Sequence, residues 1–564
     1  MSREPDRQGT ESMRWDRLIL VLWMVAAVWY RAHTFGPDVR EATGLALWPV
    51  VGRASEPLDC DEAAYAYMGH RVCLGDALYR DLTEYKPPLG YWIYTAAVAI
   101  GGYRELAIRV LAIPFVLGAM AAAWWVALRL SGRIAAALAP GLFLLVSTDP
   151  YLFGNGSNME HFMNLFSVLG LAATISAWTR DDRRRLVAAG VAIGAAAMVK
   201  QVAIVPAVVI LGALLIRGGR SRRGLIDAMA FSMGMLAVGL VAGLIVIARG
   251  AGQSAYEDIV LQARALATDT LPEPNAPSPA IRWLTGNADP RGELPWPFGS
   301  TDYLVWWAGG SWPFWLASVG SVISLAAGEA RRRILAGWVV ASWLQVVLPG
   351  LYWPHYYLLP VPSSTIAVAI ALGDAIGTVA ERSRGGRRGL VGLATAALVV
   401  AITGTLVLQA RCYLGVEPEE LTIRYKGGRQ WVVLREMGRE IGRRVAGWDS
   451  PQLYVWGWQS PLNFYSRLDS PTRHFFVDNL LRDQAGRDHP LIGPRVEEIL
   501  STLKVRPPEL IFTGYPPFSK LRAFLDANYL PSTMARGLYL RRGVYGRFET
   551  AGSGATHRDS TIPR

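Results

Sequence analysis

The chain has 564 residues, of which 52% are hydrophobic and only 18% charged, with a mean hydropathy of +0.23. Soluble domains carry roughly 25% charged residues, so this balance excludes an ordinary soluble enzyme and points to a polytopic membrane protein. The net charge of +12 does not indicate a nucleic-acid partner, because the arginines fall mainly in short runs between apolar segments. Twenty-one tryptophans and 22 tyrosines suit a protein with many membrane–water interfaces.

Residues 1–17 are polar and contain Arg3, Arg7, Arg14 and Arg17; they read as a cytoplasmic N-terminus. The apolar run from Leu18 to Tyr30 lacks a small-residue cleavage site after it and reads as a retained first span. Further apolar runs occur at about 105–128, 134–153, 161–178, 186–200, 202–216, 225–248, 303–327, 334–350, 356–373 and 390–410. With the first, they predict about eleven transmembrane helices within residues 18–410.

Basic residues mark every second junction: the N-terminus, Arg129 with Arg133, Arg180 to Arg185, Arg217 to Arg223, Arg331 to Arg333, and Arg382 to Arg388. Placing these in the cytoplasm puts the loops 31–104, 151–160, 250–302 and 350–355 outside, with everything after about residue 411. The loop 250–302 is rich in proline (Leu271-Pro272-Glu273-Pro274-Asn275-Ala276-Pro277) and reads as a lid.

Beyond residue 411 the pattern changes. Val432, Val433, Met437, Ile441 and Val445 give an amphipathic helix. Leu453-Tyr454-Val455-Trp456 and Leu510-Ile511-Phe512 read as strands, alternating with helix patterns at 494–504 and 518–528. Residues 411–550 are therefore expected to form an extracytoplasmic α/β domain, followed by a disordered tail at 551–564.

The most polar part of the first half is the stretch from Asp59 to Tyr94. Asp61 and Glu62 begin a helix pattern, where one carboxylate faces a substrate or both complement the helix dipole. Lys86 is one of only five lysines, against 52 arginines, and precedes Pro87-Pro88 at the start of an apolar stretch. A cation held there suits a phosphate; the alternative is a lysine snorkelling to lipid headgroups. Arg109, in Ile108-Arg109-Val110, lies near the outer end of a span. A guanidinium there costs up to ~3 kcal/mol on insertion scales, so it needs a phosphate or a carboxylate such as Glu62 or Glu105.

Asn158, Glu160 and His161 sit in another outer turn, Lys200 and Gln201 at a further outer end, and His355, Tyr356 and Tyr357 in a third. By topology these clusters share a membrane side with Asp61. Cys60 and Cys73 lie in the same outer stretch, either bridged or as free thiols. Cys412 completes the three cysteines, which show no metal-ligand spacing.

Asp61-Glu62-x-x-Tyr65, Lys86-Pro87-Pro88-Leu89-x-Tyr91-Trp92, Ile108-Arg109-Val110-Leu111, Met198-Val199-Lys200-Gln201 and His355-Tyr356-Tyr357-Leu358-Leu359-Pro360 together resemble the GT-C membrane glycosyltransferases. The nearest branch is the bacterial one related to protein O-mannosyltransferases and aminoarabinose transferases (glycosyltransferase family 39-like). The resemblance covers about residues 15–410. It implies a polytopic α-helical GT-C fold in the inner (plasma) membrane, and a sugar donor carried on a polyprenyl phosphate. It also implies transfer on the outer face to a glycan, lipid or protein acceptor.

Carried over by position, Asp61 is the candidate catalytic base, and Lys86, Arg109 and His355 hold the donor phosphate. Glu62, Tyr65, Glu84, Tyr85, Asn158, Glu160, His161, Lys200, Gln201 and Tyr356 are substrate-pocket candidates. In the aminoarabinose transferases a glutamate directly before the Lys-Pro takes part in a metal site with histidines. Here Tyr85 holds that place and Glu84 is one residue back, which leaves Glu160, His161 and His355 to supply a different divalent-cation site. The competing readings are a transporter or flippase of lipid-linked sugars and a non-catalytic assembly protein. The absence of an internal repeat and the gathering of charge at one interface count against the transporter.

Overall fold

The computed structural model describes residues 15–44, 54–218, 222–262, 311–349, 353–381, 387–426, 428–477 and 492–552. The expectations for residues 1–14, for the proline-rich lid at 271–277 and for most of the tail at 551–564 lie outside the described residues. The chain divides into two compact units: residues 1–55, 109–241 and 270–421 form the first, and residues 56–108, 242–269 and 422–564 the second.

The helices in chain order are α1 (Trp15–Ala32), α2 (Gly36–Thr43), α3 (Cys60–Cys73), α4 (Leu89–Gly101), α5 (Glu105–Leu130), α6 (Arg133–Ser147), α7 (Met159–Arg180), α8 (Arg183–Val199), α9 (Ile204–Gly218), α10 (Arg222–Ala248), α11 (Gly252–Tyr256), α12 (Trp312–Ala326), α13 (Ala330–Val347), α14 (Val361–Glu381) and α15 (Arg387–Leu414). Then come α16 (Pro418–Tyr425), α17 (Gln430–Arg444), α18 (Pro461–Ser466), α19 (Ile492–Val505), α20 (Ser519–Asn528) and α21 (Tyr545–Gly552).

Every apolar run read from the sequence contains a helix, and among the described residues five helical segments are individually long and apolar enough to cross a bilayer. Among the described residues, basic side chains fall at helix ends, as Arg129 and Arg133 do between α5 and α6. On α10, Leu225, Met229, Met233, Leu236 and Leu240 are all exposed. Their three- and four-residue spacing makes one apolar stripe, which a bilayer covers at no cost and water does not.

In the first unit α7 packs on α8, α6 on α14 and α1, and α13 on α9, α12 and α14. One core cluster joins Leu186, Ala189 and Ile193 to Ala207, Ile210, Leu214 and Phe231. Helices α8 and α10 approach through glycine: a Cβ on Gly190 would stand 1.9 Å from the carbonyl oxygen of Phe231. That is the small-residue packing expected between membrane helices, where backbones approach closely.

The second unit holds a four-stranded sheet with β1 (Leu453–Trp456), β2 (Leu510–Thr513), β3 (Tyr529–Pro531) and β4 (Leu538–Arg541), in the order β1-β2-β4-β3. β1 and β2 are parallel, Leu453 opposite Leu510, and the other two pairings are antiparallel. α19 and α20 cover the sheet through Ile499, Leu500, Leu503, Leu521 and Leu525, packed with Tyr454, Trp456 and Ile511.

The expected α/β character is therefore present, and β1, β2, α17, α19 and α20 fall where periodicity placed them. β3 and β4 escaped the sequence reading: Tyr529–Pro531 is only three residues long, and Leu538–Arg541 ends in arginine and lacks the continuous apolar run that marked β1 and β2.

The stretch 31–104, expected as a loop, contains the helices α2, α3 and α4, and α3 packs against α4 and α18. Cys60 and Cys73 are free and stand at opposite ends of α3. At ~1.5 Å rise per residue their separation along the helix is far beyond disulfide reach.

Candidate active site

The second unit gathers the carboxylates around the start of α3. Asp59 is the N-cap: its Oδ1 accepts from the Glu62 backbone N–H at 2.9 Å, and the Glu62 carboxylate accepts from the Asp59 N–H at 3.3 Å. This reciprocal capping box occupies both residues, and both are buried. Asp61 stands between them in the same turn and stays half-buried. Two of the three acids thus serve the helix terminus, and Asp61 is the one left with access to solvent.

Lys86 is buried and its ammonium lies 3.5 Å from Glu84 Oε1. It sits 4.4 Å from the centre of the Tyr85 ring and 5.2 Å from that of Tyr65, an arrangement that favours a cation over an aromatic face. Tyr65 is packed edge-on by Tyr91 and Tyr94 of α4. The backbone is held as well: the Tyr79 hydroxyl donates to the Lys86 carbonyl at 2.9 Å, and the Tyr85 N–H donates to Glu84 at 2.9 Å. Pro87 and Pro88 delay the helix until Leu89. Burial raises the Glu84 carboxyl above its ordinary range, with Lys86 opposing and Asp61 reinforcing the shift. Asp61, Tyr65, Glu84, Tyr85 and Lys86 are therefore one electrostatic cluster.

Asp59, in the same turn as Asp61, is strongly perturbed. Burial, then Glu62, push its carboxyl up to about 8, with Lys426 opposing. An acid that keeps its proton in the folded state and loses it in the unfolded one makes stability fall as pH rises. For Asp59 that window runs from about pH 4 to about 8, with a slope of at most about 1.4 kcal/mol per pH unit. Asp59→Asn keeps a good N-cap without the charge. Its apparent melting temperature in detergent is expected to vary less over that window and to exceed the wild type's at pH 8. Parallel curves for the two proteins would contradict this.

Three residues of this unit carry structural roles that composition and spacing did not reveal. Asp258 lies in a π-helical turn, Glu257–Gln262, and is buried. It accepts from the Glu84 N–H at 3.3 Å and from Arg495 of α19 at 2.5 Å. Burial lifts it to about 6 against the pull of Arg495. Glu56 and Lys426 form a buried ion pair at 2.9 Å. A π-turn or an ion pair between distant segments leaves no mark in a linear pattern.

The first unit forms its own cluster. Lys200, the residue after α8, pairs with Glu160 in the first turn of α7, and both are buried. The Lys200 ammonium lies 3.6 Å from the centre of the Tyr356 ring, and His355 Nε2 lies 3.9 Å from Glu160 Oε1. His161 donates from Nε2 to the Gly154 carbonyl at 2.8 Å, and the Asn158 amide donates to Phe153 O at 3.0 Å. Gln201 opens a short 3-10 turn beside Lys200. Arg109 is buried on α5.

Arg31, at the end of α1, was not singled out from the sequence. It donates to the carbonyls of Gly154 at 2.9 Å and Gly156 at 2.7 Å, fixing the turn that leads into Asn158 and Glu160. A span-end arginine looks like a topology signal, which concealed this role.

The expected divalent-cation set does not assemble. Glu160 and His355 approach each other, but Lys200 already engages the same carboxylate oxygen, and His161 is turned to a backbone carbonyl. Among the described residues no three His, Cys, Asp or Glu side chains gather in a metal-holding group.

The chain thus combines a part made of apolar helices, a small α/β part and acidic and basic clusters at helix ends. Residues 85–247 match the family model described as dolichyl-phosphate-mannose-protein mannosyltransferase. That segment contains Lys86, Arg109, Glu160, His161 and Lys200, while Asp61 and His355 fall outside it. A search of curated protein sequences finds no significant match.

Among solved structures, the chain is similar to ArnT from Cupriavidus metallidurans bound to undecaprenyl phosphate. The TM-score is 0.57 and the identity 17%, over 94% of this chain and 98% of that one. It is also similar to the oligosaccharyltransferase AglB from Archaeoglobus fulgidus in complex with an inhibitory peptide and a dolichol-phosphate. There the TM-score is 0.53 and the identity 11%, over 88% of this chain and 69% of that one. At these identities the likeness establishes the fold, and in fold the expected GT-C resemblance is borne out.

Proposed function

We propose that the chain transfers a sugar from a polyprenyl-phosphate-linked donor to a hydroxyl acceptor at the outer face of the plasma membrane. The observation that carries this reading is the division of labour at α3. Asp59 and Glu62 are consumed by the cap, while Asp61 keeps solvent access in one cluster with the buried cation of Lys86.

In the proposed reaction the acceptor oxygen attacks the anomeric carbon as the bond from that carbon to the phosphate oxygen breaks. Asp61 takes the acceptor proton, and the electron pair leaves with the polyprenyl phosphate. That phosphate is a good leaving group without an acid, so the need is for positive charge to stabilise it. Lys86 is the cation for that role in the second unit. The family resemblance keeps Arg109 and His355 as further candidates for the donor phosphate. The family match over residues 85–247 and the lipid phosphates named in the similar structures support this choice of donor.

The test is an assay in proteoliposomes with a polyprenyl-phosphate sugar and cell-envelope extract as acceptor, followed by mass spectrometry of the products. Lys86→Met is expected to lower transfer by about 10²-fold, the scale of losing one transition-state donor, with the protein still folded and inserted. Unchanged transfer would remove Lys86 from the phosphate. Counterflow of labelled donor without any new glycoside would replace the transferase reading with the transporter.

A further inference from the structure

The second unit contains a pocket of about 560 Å³ that the cluster around Asp61 and Lys86 does not use. Its walls are the later turns of α3, the segment 76–82, the turn 469–473 and the face of α19. Four arginines, Arg71, Arg80, Arg473 and Arg506, line it together with four carboxylates. The charges are matched. Arg71 meets Asp76 at 2.7 Å and Asp469 at 2.5 Å, Arg80 meets Asp81 at 2.7 Å, and Arg473 meets Glu498 at 2.8 Å.

This lining selects among ligands. A polyprenyl tail or other apolar ligand needs a mainly hydrophobic wall, and here only Leu82, Pro471 and Val505 are apolar. An anion would meet as many carboxylates as guanidiniums. A sugar hydroxyl both donates and accepts, and it suits a wall on which fixed N–H donors alternate with fixed carboxylate acceptors. The acceptors are held in place: although burial opposes ionisation, hydrogen bonds from His474 and Arg473 keep Glu498 down at about 2. The Tyr67 hydroxyl accepts from the Ser470 N–H at 2.9 Å, and the Arg473 carbonyl accepts from the Thr83 N–H at 3.1 Å, so the walls are braced against one another.

Tyr67 and Arg71 lie on the same helix as Asp61. At ~1.5 Å per residue they stand roughly 9 and 15 Å further along its axis. We propose that this pocket is a subsite for an uncharged saccharide, holding the part of the acceptor remote from the hydroxyl that receives the sugar. Its role as an acceptor subsite rests on the transferase reading; its chemistry as a saccharide pocket does not.

The experiment uses the full chain in lipid nanodiscs on an array of immobilised neutral di- to tetrasaccharides of hexose and N-acetylhexosamine, with sugar phosphates and peptides alongside. The test variant is Ser501→Trp, which fills the pocket from an exposed position on α19. Neutral saccharides are expected to be retained by the wild type and bound at least tenfold more weakly by Ser501→Trp. In the transfer assay the same variant is expected to raise the acceptor KM at least tenfold with donor affinity unchanged.

The pocket assignment is overturned if no neutral saccharide binds, if Ser501→Trp binds as the wild type does, or if sugar phosphates or peptides are preferred. Failure of the transferase reading is a separate result: the wild type would leave the donor uncleaved whatever the array shows. Intact transfer with an unaltered acceptor KM in Ser501→Trp would overturn the subsite alone.

Discussion

Asp61→Asn is expected to leave a folded, membrane-inserted protein whose sugar transfer is lowered by about 10²–10⁴-fold, the range that a positioned base contributes. The amide is isosteric with the carboxylate but cannot take the acceptor proton. The fold should tolerate the change because the helix terminus depends on Asp59 and Glu62, whose reciprocal hydrogen bonds do not involve Asp61. Donor binding, measured by protection of the protein against thermal unfolding, should be retained. The informative comparison is Asp59→Asn. Asp59 has the carboxyl pushed up to about 8, and a base poised near neutral pH is what pKa alone would select. Its burial and its engagement with the Glu62 N–H argue against contact with an acceptor. If Asp59→Asn loses transfer and Asp61→Asn does not, the base is misassigned by two residues and the capping box has a second role.

Glu160→Ala is expected to cost about 3–5 kcal/mol of stability, the scale of breaking one side of a buried ion pair. Lys200 is 5% exposed, and the substitution withdraws its carboxylate while leaving the charge buried. The ring of Tyr356 offsets part of the loss, since a desolvated cation–π contact contributes about 2 kcal/mol. The double variant Glu160→Ala with Lys200→Met should recover most of the stability, because no buried charge then remains. Thermal unfolding of the three variants in one detergent provides the comparison. A single variant as stable as the wild type, or a double variant no better than Glu160→Ala, would show that the pair does not hold α7 to the end of α8.

The membrane half was legible because its signal is repeated. Runs of about twenty apolar residues separated by arginine clusters are dictated by bilayer thickness and by charge, and neither depends on which helix touches which. Lys86-Pro87-Pro88 was readable for a local reason, the restraint that proline places on the residue before it. In the sequence Asp61 was separable from Glu62 only through the family resemblance, and nothing local set Asp59 apart from either. The capping box set Asp59 and Glu62 apart from Asp61, since which carboxylate bends back to the backbone is a matter of side-chain geometry within one turn. The cation site expected of Glu160, His161 and His355 failed for a similar reason. His161 turns to Gly154, and Lys200 reaches the carboxylate first.

The sequence by itself determined the apolar or polar character of each segment, the helical character of the apolar runs, the α/β pattern after residue 411, and the short list of charged residues too expensive to bury without a purpose. The tertiary structure alone decided which partner each buried charge has, including charges that the sequence did not single out. Glu160 has Lys200, Asp258 has Arg495, and Arg31 has the turn at Gly154 to Gly156. It also decided that the Asp59–Tyr94 stretch is two helices whose first turn presents Asp61. Hydrophobicity and period act along the chain and can be summed residue by residue, whereas hydrogen bonds and buried ion pairs form between residues distant in sequence. Their energy depends on distances of a few ångströms that only the folded packing sets.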